Sequence, residues 1–142
     1  MSDEVNAVSV KGIYKNYGDV EALRDMSLDF PKGQLTSLLG PSGCGKTTLL
    51  KIIAGLLAPN QGEVYVNGQI VTEPGPDRAF VFQDFGLMTW ASVLRNVAFG
   101  LELRKVAKSD IEVFARKYIK DVGLDGFENS YPHELSGGMR QR

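Results

Sequence analysis

From Val5 to Tyr14 apolar and polar residues roughly alternate, and Met26, Leu28 and Phe30 alternate with Ser27 and Asp29, so both segments read as half-buried strands. Pro31-Lys32-Gly33 turns the chain into Gln34–Leu39, a mostly apolar run of strand length that leads through a glycine-rich loop into a helical run from Lys46 to Leu57. Pro59-Asn60-Gln61-Gly62 predicts a turn, Glu63–Val66 a strand, and Asn67-Gly68 a tight hairpin. Pro74, Gly75 and Pro76 predict a surface loop before a second apolar strand, Ala79–Phe82. Beyond it the period lengthens from two to about 3.6. Ser92 is placed to cap a helix over Val93–Leu103. Ser109 and Glu112 have the spacing of a capping box ahead of Ile111, Phe114, Ala115, Tyr118, Ile119 and Val122, with Gly123 as the stop. The order is a strand-rich start, an α/β centre and a helical end, and no linker-like stretch divides it.

Composition narrows the possibilities by exclusion. The 142 residues are 43% hydrophobic and 23% charged, an ordinary globular balance. With 16 basic and 17 acidic residues the net charge is −1, which gives no broad electrostatic attraction for nucleic acid or an anionic membrane. A single cysteine, Cys44, excludes an internal disulfide framework. The start MSDEV lacks the basic-then-apolar layout of a secretory signal. The longest apolar stretch, Leu49 to Ala58, contains Lys51 and is about half the ~20 residues of a membrane span, so the chain is expected to be soluble by itself.

The chemistry begins at Gly40, where GPSGCGKT over Gly40–Thr47 matches G-x-x-x-x-G-K-[ST] between a predicted strand and a predicted helix. Gly40, Gly43 and Gly45 let the backbone wrap a phosphate with its N–H groups inward, and the helix start adds partial positive charge. Lys46 is placed to pair with β and γ phosphates, and the Thr47 hydroxyl to reach a Mg²⁺ that bridges them. Pro41, Ser42 and Cys44 complete the loop. Cys44 reads either as a small spacer or as a reactive thiol whose alkylation would block the loop sterically.

Near the other end, Leu135–Arg142 reads LSGGMRQR. Together with the phosphate loop, this octet makes the chain resemble the ATP-binding subunits of ABC transporters along its full length. The fold so implied is an α/β P-loop ATPase core with an N-terminal antiparallel β subdomain and a helical signature subdomain, the C-terminal part of the core missing. Residues 1–142 then form one incomplete domain: 1–83 the β subdomain and nucleotide core, 84–142 the Q-loop and helical subdomain. In that family two domains pair head to tail, and the signature of one closes over ATP held by the other. Leu135, Ser136, Gly137, Gly138, Met139, Arg140 and Gln141 are the signature residues so implied. A serine hydroxyl, two unobstructed glycine N–H groups and a helix start suit a γ-phosphate.

Weaker positions follow from the same resemblance. The phosphate-binding set extends through Thr48, Tyr17 stands where an aromatic ring stacks on adenine with Val20 behind it, and Gln83 resembles the Q-loop glutamine that senses Mg²⁺ and the attacking water. The Phe85–Leu103 region is implied to receive a coupling helix from a transmembrane permease subunit, with packing of the helical subdomain as the alternative use of its side chains. PDRAFVFQDFGLMTW and YPHELSGGMRQR look most like importers of the nitrate, sulfonate and taurine type; Met88-Thr89 departs from the expected leucine-proline. His133 reads as structural, not as the family's switch histidine. The implied partners are a second ATP-binding subunit, the permease and, indirectly, a substrate-binding protein, at the cytoplasmic face of the membrane; the cofactors are ATP and Mg²⁺, with no nucleic acid.

The family's hydrolytic residues, four apolar positions ending in Asp-Glu and a later histidine, follow the signature and are not in these 142 residues; Asp84 is no substitute, because Gln83 separates it from the strand. The chain is therefore expected to bind ATP and hydrolyse it negligibly, and to be marginally stable or prone to aggregate. Two other readings stand beside an importer subunit: a non-hydrolysing fragment that poisons a partner, and a soluble ABC protein acting on DNA or ribosomes. The near-zero charge and the lack of a long coiled-coil insertion between Lys46 and Ser136 weigh against the last.

Overall fold

The computed structural model describes residues 6–142, so Val5, expected to open the first strand, lies outside the described residues. The chain folds as two compact units, Met1–Phe80 and Val81–Arg142.

The first unit is built on a long hairpin. Strand β1 (Asn6–Tyr17) runs three residues past the expected end and pairs antiparallel with β2 (Val20–Pro31), Tyr17 facing Val20 across the turn. Helix α1 (Lys46–Ile53) follows, then β3 (Gln61–Val66) and the short β4 (Gln69–Ile70), giving the sheet order β2-β1-β3-β4. Asn67 and Gly68 both take positive φ, as the two-residue turn joining β3 to β4 requires. Leu49 and Ile52, three positions apart on α1, bury against Val10, Ile13, Leu23 and Val64 of the sheet.

Helix α1 is shorter than the apolar run that predicts it. It stops at Ile53 because Gly55 takes φ +77° and the N–H groups of Gly55 and Leu56 turn back onto the carbonyls of Ile52 and Lys51 at 3.0 and 2.9 Å. The predicted strands Gln34–Leu39 and Ala79–Phe82 are not strands here. Leu38 packs on the core, but Leu35 is 100% exposed, Leu39 92% and Val81 87%. An apolar run of this kind becomes a strand by pairing inside a parallel sheet, and every pairing among the described residues is antiparallel.

Gly62 is held by two constraints at once: φ is +85°, and a Cβ there would overlap the Gly12 and Lys11 carbonyl oxygens of β1. Gly62→Ala is expected to lower stability by more than ~2 kcal/mol, strain and clash together. Gly18→Ala, where φ is +58° and the space is open, carries the strain alone. Urea midpoints of the two variants check this, and equal losses would contradict it.

The second unit is helical. Helix α2 (Val93–Leu103) begins as expected, the Ser92 hydroxyl accepting from the Arg95 N–H at 3.4 Å. Helix α3 spans Lys108–Asp121 and is capped by Ala107, so the Ser109–Glu112 capping box does not form. Lys105 takes a positive φ and the Val106 N–H bonds the Leu101 carbonyl, which seats Val106 against Ala98, Leu101 and Ala115 and starts the helix before Ser109. Ser109 hydrogen-bonds Asp110 instead. Gly123 ends α3 with the Schellman pair, its own N–H to Lys120 O and that of Leu124 to Ile119 O, both at 2.9 Å. Leu124 then packs on Ile119, Val93 and Leu135. A 3-10 turn at Pro132–Glu134 leads into α4 (Gly137–Gln141).

Glu128 lies in the loop between α3 and that turn, and backbone N–H groups, its own first and then that of Gly126, hold its carboxyl below the ordinary glutamate range. A lowered folded value stabilises the fold above the unfolded value and is lost as pH falls through the folded one. The stability gap between the protein and its Glu128→Gln variant is accordingly expected at neutral pH and to close in acid. Urea titrations at several pH values test the sign.

Candidate functional site

The phosphate loop is positioned by β2 and α1. Gly45 caps α1 with φ +92°, and a Cβ on it would stand 2.6 Å from the Ala22 carbonyl and 2.7 Å from the Leu23 side chain, so the loop lies hard against β2. The Lys46 ammonium folds over the loop and donates to the carbonyls of Gly40 at 2.8 Å and Pro41 at 2.7 Å, with Cys44 Sγ 3.5 Å away. A Cβ on Gly40 would stand 2.8 Å from Cys44 Sγ, so a side chain there would require the thiol to turn away. No acidic residue stands in the first turn of α1, which leaves its positive end unneutralised. Thr47 is exposed there, while Thr48 is half-buried. A hydroxyl beside a lysine at an uncompensated helix start fits a Mg²⁺ carried in by phosphate oxygens. Tyr17 and Val20, paired across the β1–β2 turn, are 50% and 67% exposed, and Lys15 Nζ lies 5.8 Å from the Tyr17 ring centre. Val20 begins the strand that carries Ala22 and Leu23 onto the loop.

The second unit contains Gln83 and the signature. Leu135 is buried as an anchor, Ser136 caps α4 by accepting from the Met139 N–H at 3.3 Å, and Gly137 and Gly138 form its first turn. Among the described residues, nothing beyond the chain neighbours and the helix's own backbone lies within 4 Å of a Cβ built on either glycine. Arg140 sets its guanidinium 5.2 Å from the ring centre of Phe85, two residues after the exposed Gln83. His133 stacks on Tyr131, the ring centres 5.8 Å apart. Phe85 and Trp90 are 43% and 78% exposed, whereas Val93, Ala98 and Leu101 of the same region are buried.

Asn96 and Arg142 were not singled out by sequence reasoning. Asn96 Oδ1 accepts from the Met88 N–H at 2.8 Å, and its Nδ2 donates to the carbonyls of Met88, Ala91 and Ser92 at 3.0–3.1 Å. It thereby fixes the loop that enters α2. Arg142 donates to the Val122 carbonyl at 3.1 Å, joining α4 to the end of α3. The one signal for Asn96 was a poor helix former placed four residues after a cap.

A phosphate loop ending in a glycine-capped helix and a serine-capped signature turn define an ATP-binding cassette. The family model described as ABC transporter matches residues 23–142, and the chain belongs to that family. It is 51% identical over 127 residues to an uncharacterized ABC transporter ATP-binding protein of Methanocaldococcus jannaschii, covering 89% of this chain and 48% of that one. To the taurine import ATP-binding protein TauB of Yersinia pestis it is 46% identical over 135 residues, covering 95% and 53%. To the sulfate/thiosulfate import ATP-binding protein CysA of Nocardia farcinica it is 47% identical, covering 95% and 42%. The chain thus spans about half the length of these relatives. Among solved structures, a dimeric ATP-binding cassette in a post-hydrolysis state bound to ADP and Pi superposes with a TM-score of 0.81 at 31% identity, covering 94% of this chain and 65% of that one. The cassette fold implied by the resemblance is therefore the fold of this chain. Among the described residues no helix is long and apolar enough to cross a membrane.

Proposed function

We propose that this chain belongs to the energy-coupling ATP-binding subunit of an importer, most like the nitrate, sulfonate and taurine type, and that its two units are parts of one ATP-binding domain. Gly40–Thr48 hold the phosphates, Thr47 and Gln83 serve Mg²⁺, and Tyr17 with Val20 flanks adenine. Leu135–Gln141 faces the ATP of a second subunit, and Phe85–Leu103 meets a permease at the cytoplasmic face of the membrane. Mg²⁺, if held there by Thr47 and Gln83, would supply charge neutralisation at the phosphates; the chain itself binds and orients the nucleotide.

The observation that carries this reading is the open space over Gly137 and Gly138. Neither has a positive φ, and among the described residues a Cβ on either would meet nothing outside the helix's own backbone and its chain neighbours, so these residues do not require glycine at these positions. Two glycines in a helical first turn cost stability relative to alanine, which is understandable if a phosphate must approach the backbone closely. Gly138→Ala is therefore expected to raise stability slightly, by up to ~1 kcal/mol, while weakening ATP-driven dimerisation at least tenfold. Sedimentation of the protein with Mg²⁺ and ATP, beside urea unfolding, measures both. Dimerisation that survives the substitution intact would refute the role given to the signature.

A further inference from the structure

We infer that Arg140 is a positioning residue that holds the loop after Gln83 against the signature helix through the ring of Phe85. Arg140 is half-buried on α4, and its Nε is fully buried without a hydrogen-bond partner. Among the described residues its guanidinium makes no ion pair; its one close partner is the Phe85 ring, 5.2 Å away. A guanidinium with five donors is seldom left on an aromatic face alone unless that face is its function. The contrast within α4 is direct: Arg142, two residues on, spends its donors on Gly138 and Val122 carbonyls, whereas Arg140 spends none.

The contact falls where the loop has a second fixed point. Asn96 clamps Met88 by hydrogen bonds in both directions, and Gly86, at φ +62°, turns the chain between Phe85 and that clamp. With Phe85 released, Gln83 would hang from Met88 across a flexible glycine. With Phe85 held, Gln83 and the signature glycines belong to one mechanical piece, because Arg140 and Ser136 lie on the same helical turn, the Arg140 N–H donating to the Ser136 carbonyl at 3.0 Å. The functional sense of this tie rests on the reading above: a group that senses one nucleotide would move together with the surface that closes over another.

Hydrogen exchange of the backbone from Gln83 to Leu87 in the protein, its Phe85→Leu and Arg140→Met variants and the double variant tests the tie without any nucleotide. Each single variant is expected to speed exchange of this segment about three- to thirtyfold, and the double variant no further than either. Phe85→Tyr, which keeps the aromatic face, stays within about twofold of the parent. Exchange in α3 stays unchanged in all of them, which separates release of the loop from unfolding of the unit. No acceleration, fully multiplicative effects, or a tyrosine variant that behaves like leucine would overturn the inference. A parent protein that binds no ATP would defeat the proposed function and leave the exchange result to decide the tie.

Discussion

Replacing Lys46 by alanine is expected to lower ATP affinity by between ~10-fold and ~100-fold and to leave the unfolding transition within about 1 kcal/mol of the parent protein. The ammonium donates to the Gly40 and Pro41 carbonyls, at 2.8 and 2.7 Å, so it is folded over the loop. Those are contacts at an exposed site, and water replaces them when the side chain is removed. Phosphate oxygens carry full negative charge, and hydrogen bonds from an ammonium to them are worth roughly 1.5–3 kcal/mol each, against about half that for a neutral carbonyl. Two such bonds, less the two carbonyl contacts given up, are worth about 1.5–3 kcal/mol, which corresponds to a change of between about tenfold and a hundredfold. Lys46→Arg is expected to fall between, because a planar guanidinium does not fit carbonyls arranged for a compact ammonium. Equilibrium titration with a fluorescent ATP analogue, next to urea unfolding of each variant, reads both quantities. Unaltered affinity in Lys46→Ala would remove the phosphate loop from the proposed function.

The elements that were legible in the sequence are those whose cause is local. Asn67-Gly68 dictates its turn through the φ values of two residues, Ser92 caps α2 through one hydroxyl, and Gly123 ends α3 through its own backbone. The phosphate loop and the signature were legible for the same reason, being contiguous strings whose glycines and caps act within a few residues. What misled was non-local. Gln34–Leu39 and Ala79–Phe82 have strand composition, yet a strand is made by its neighbours, and the described residues give these two runs no ladder. The apolar run after Lys46 promised a longer helix, but the Gly55 turn ends it, and a Cβ at Gly55 would collide with the Glu73 backbone. Ser109 had the spacing of a cap and lost to Val106, whose burial against Leu101 and Ala115 decides where α3 begins. The Arg140–Phe85 contact joins residues 55 positions apart, and no local pattern could have announced it.

Asn96 produces the second large effect. Its side chain spends one acceptor and two donors on four backbone groups of a single loop. The Met88 and Ser92 carbonyls also accept from the Ala91 and Asn96 N–H groups, so Asn96→Ala takes the side-chain partner chiefly from the Met88 N–H and the Ala91 carbonyl and is expected to destabilise the helical unit by about 1–3 kcal/mol. Asn96→Asp separates the donors from the acceptor. A carboxylate keeps the bond from the Met88 N–H, but its other oxygen faces the carbonyls of Met88, Ala91 and Ser92, and at neutral pH the repulsion makes it at least as damaging as alanine. Those carbonyls favour the protonated acid, so the aspartate in this variant has a folded pKa above its unfolded one and recovers stability as pH falls. The sign is opposite to that of Glu128, whose carboxylate the fold favours. Trp90, the only tryptophan of the chain, sits in the clamped loop and is 78% exposed, so its emission during urea unfolding reports on this loop directly. An Asn96→Asp variant as stable as the parent at neutral pH would mean that the three carbonyls do not depend on Nδ2, and that the loop entering α2 is held by packing alone.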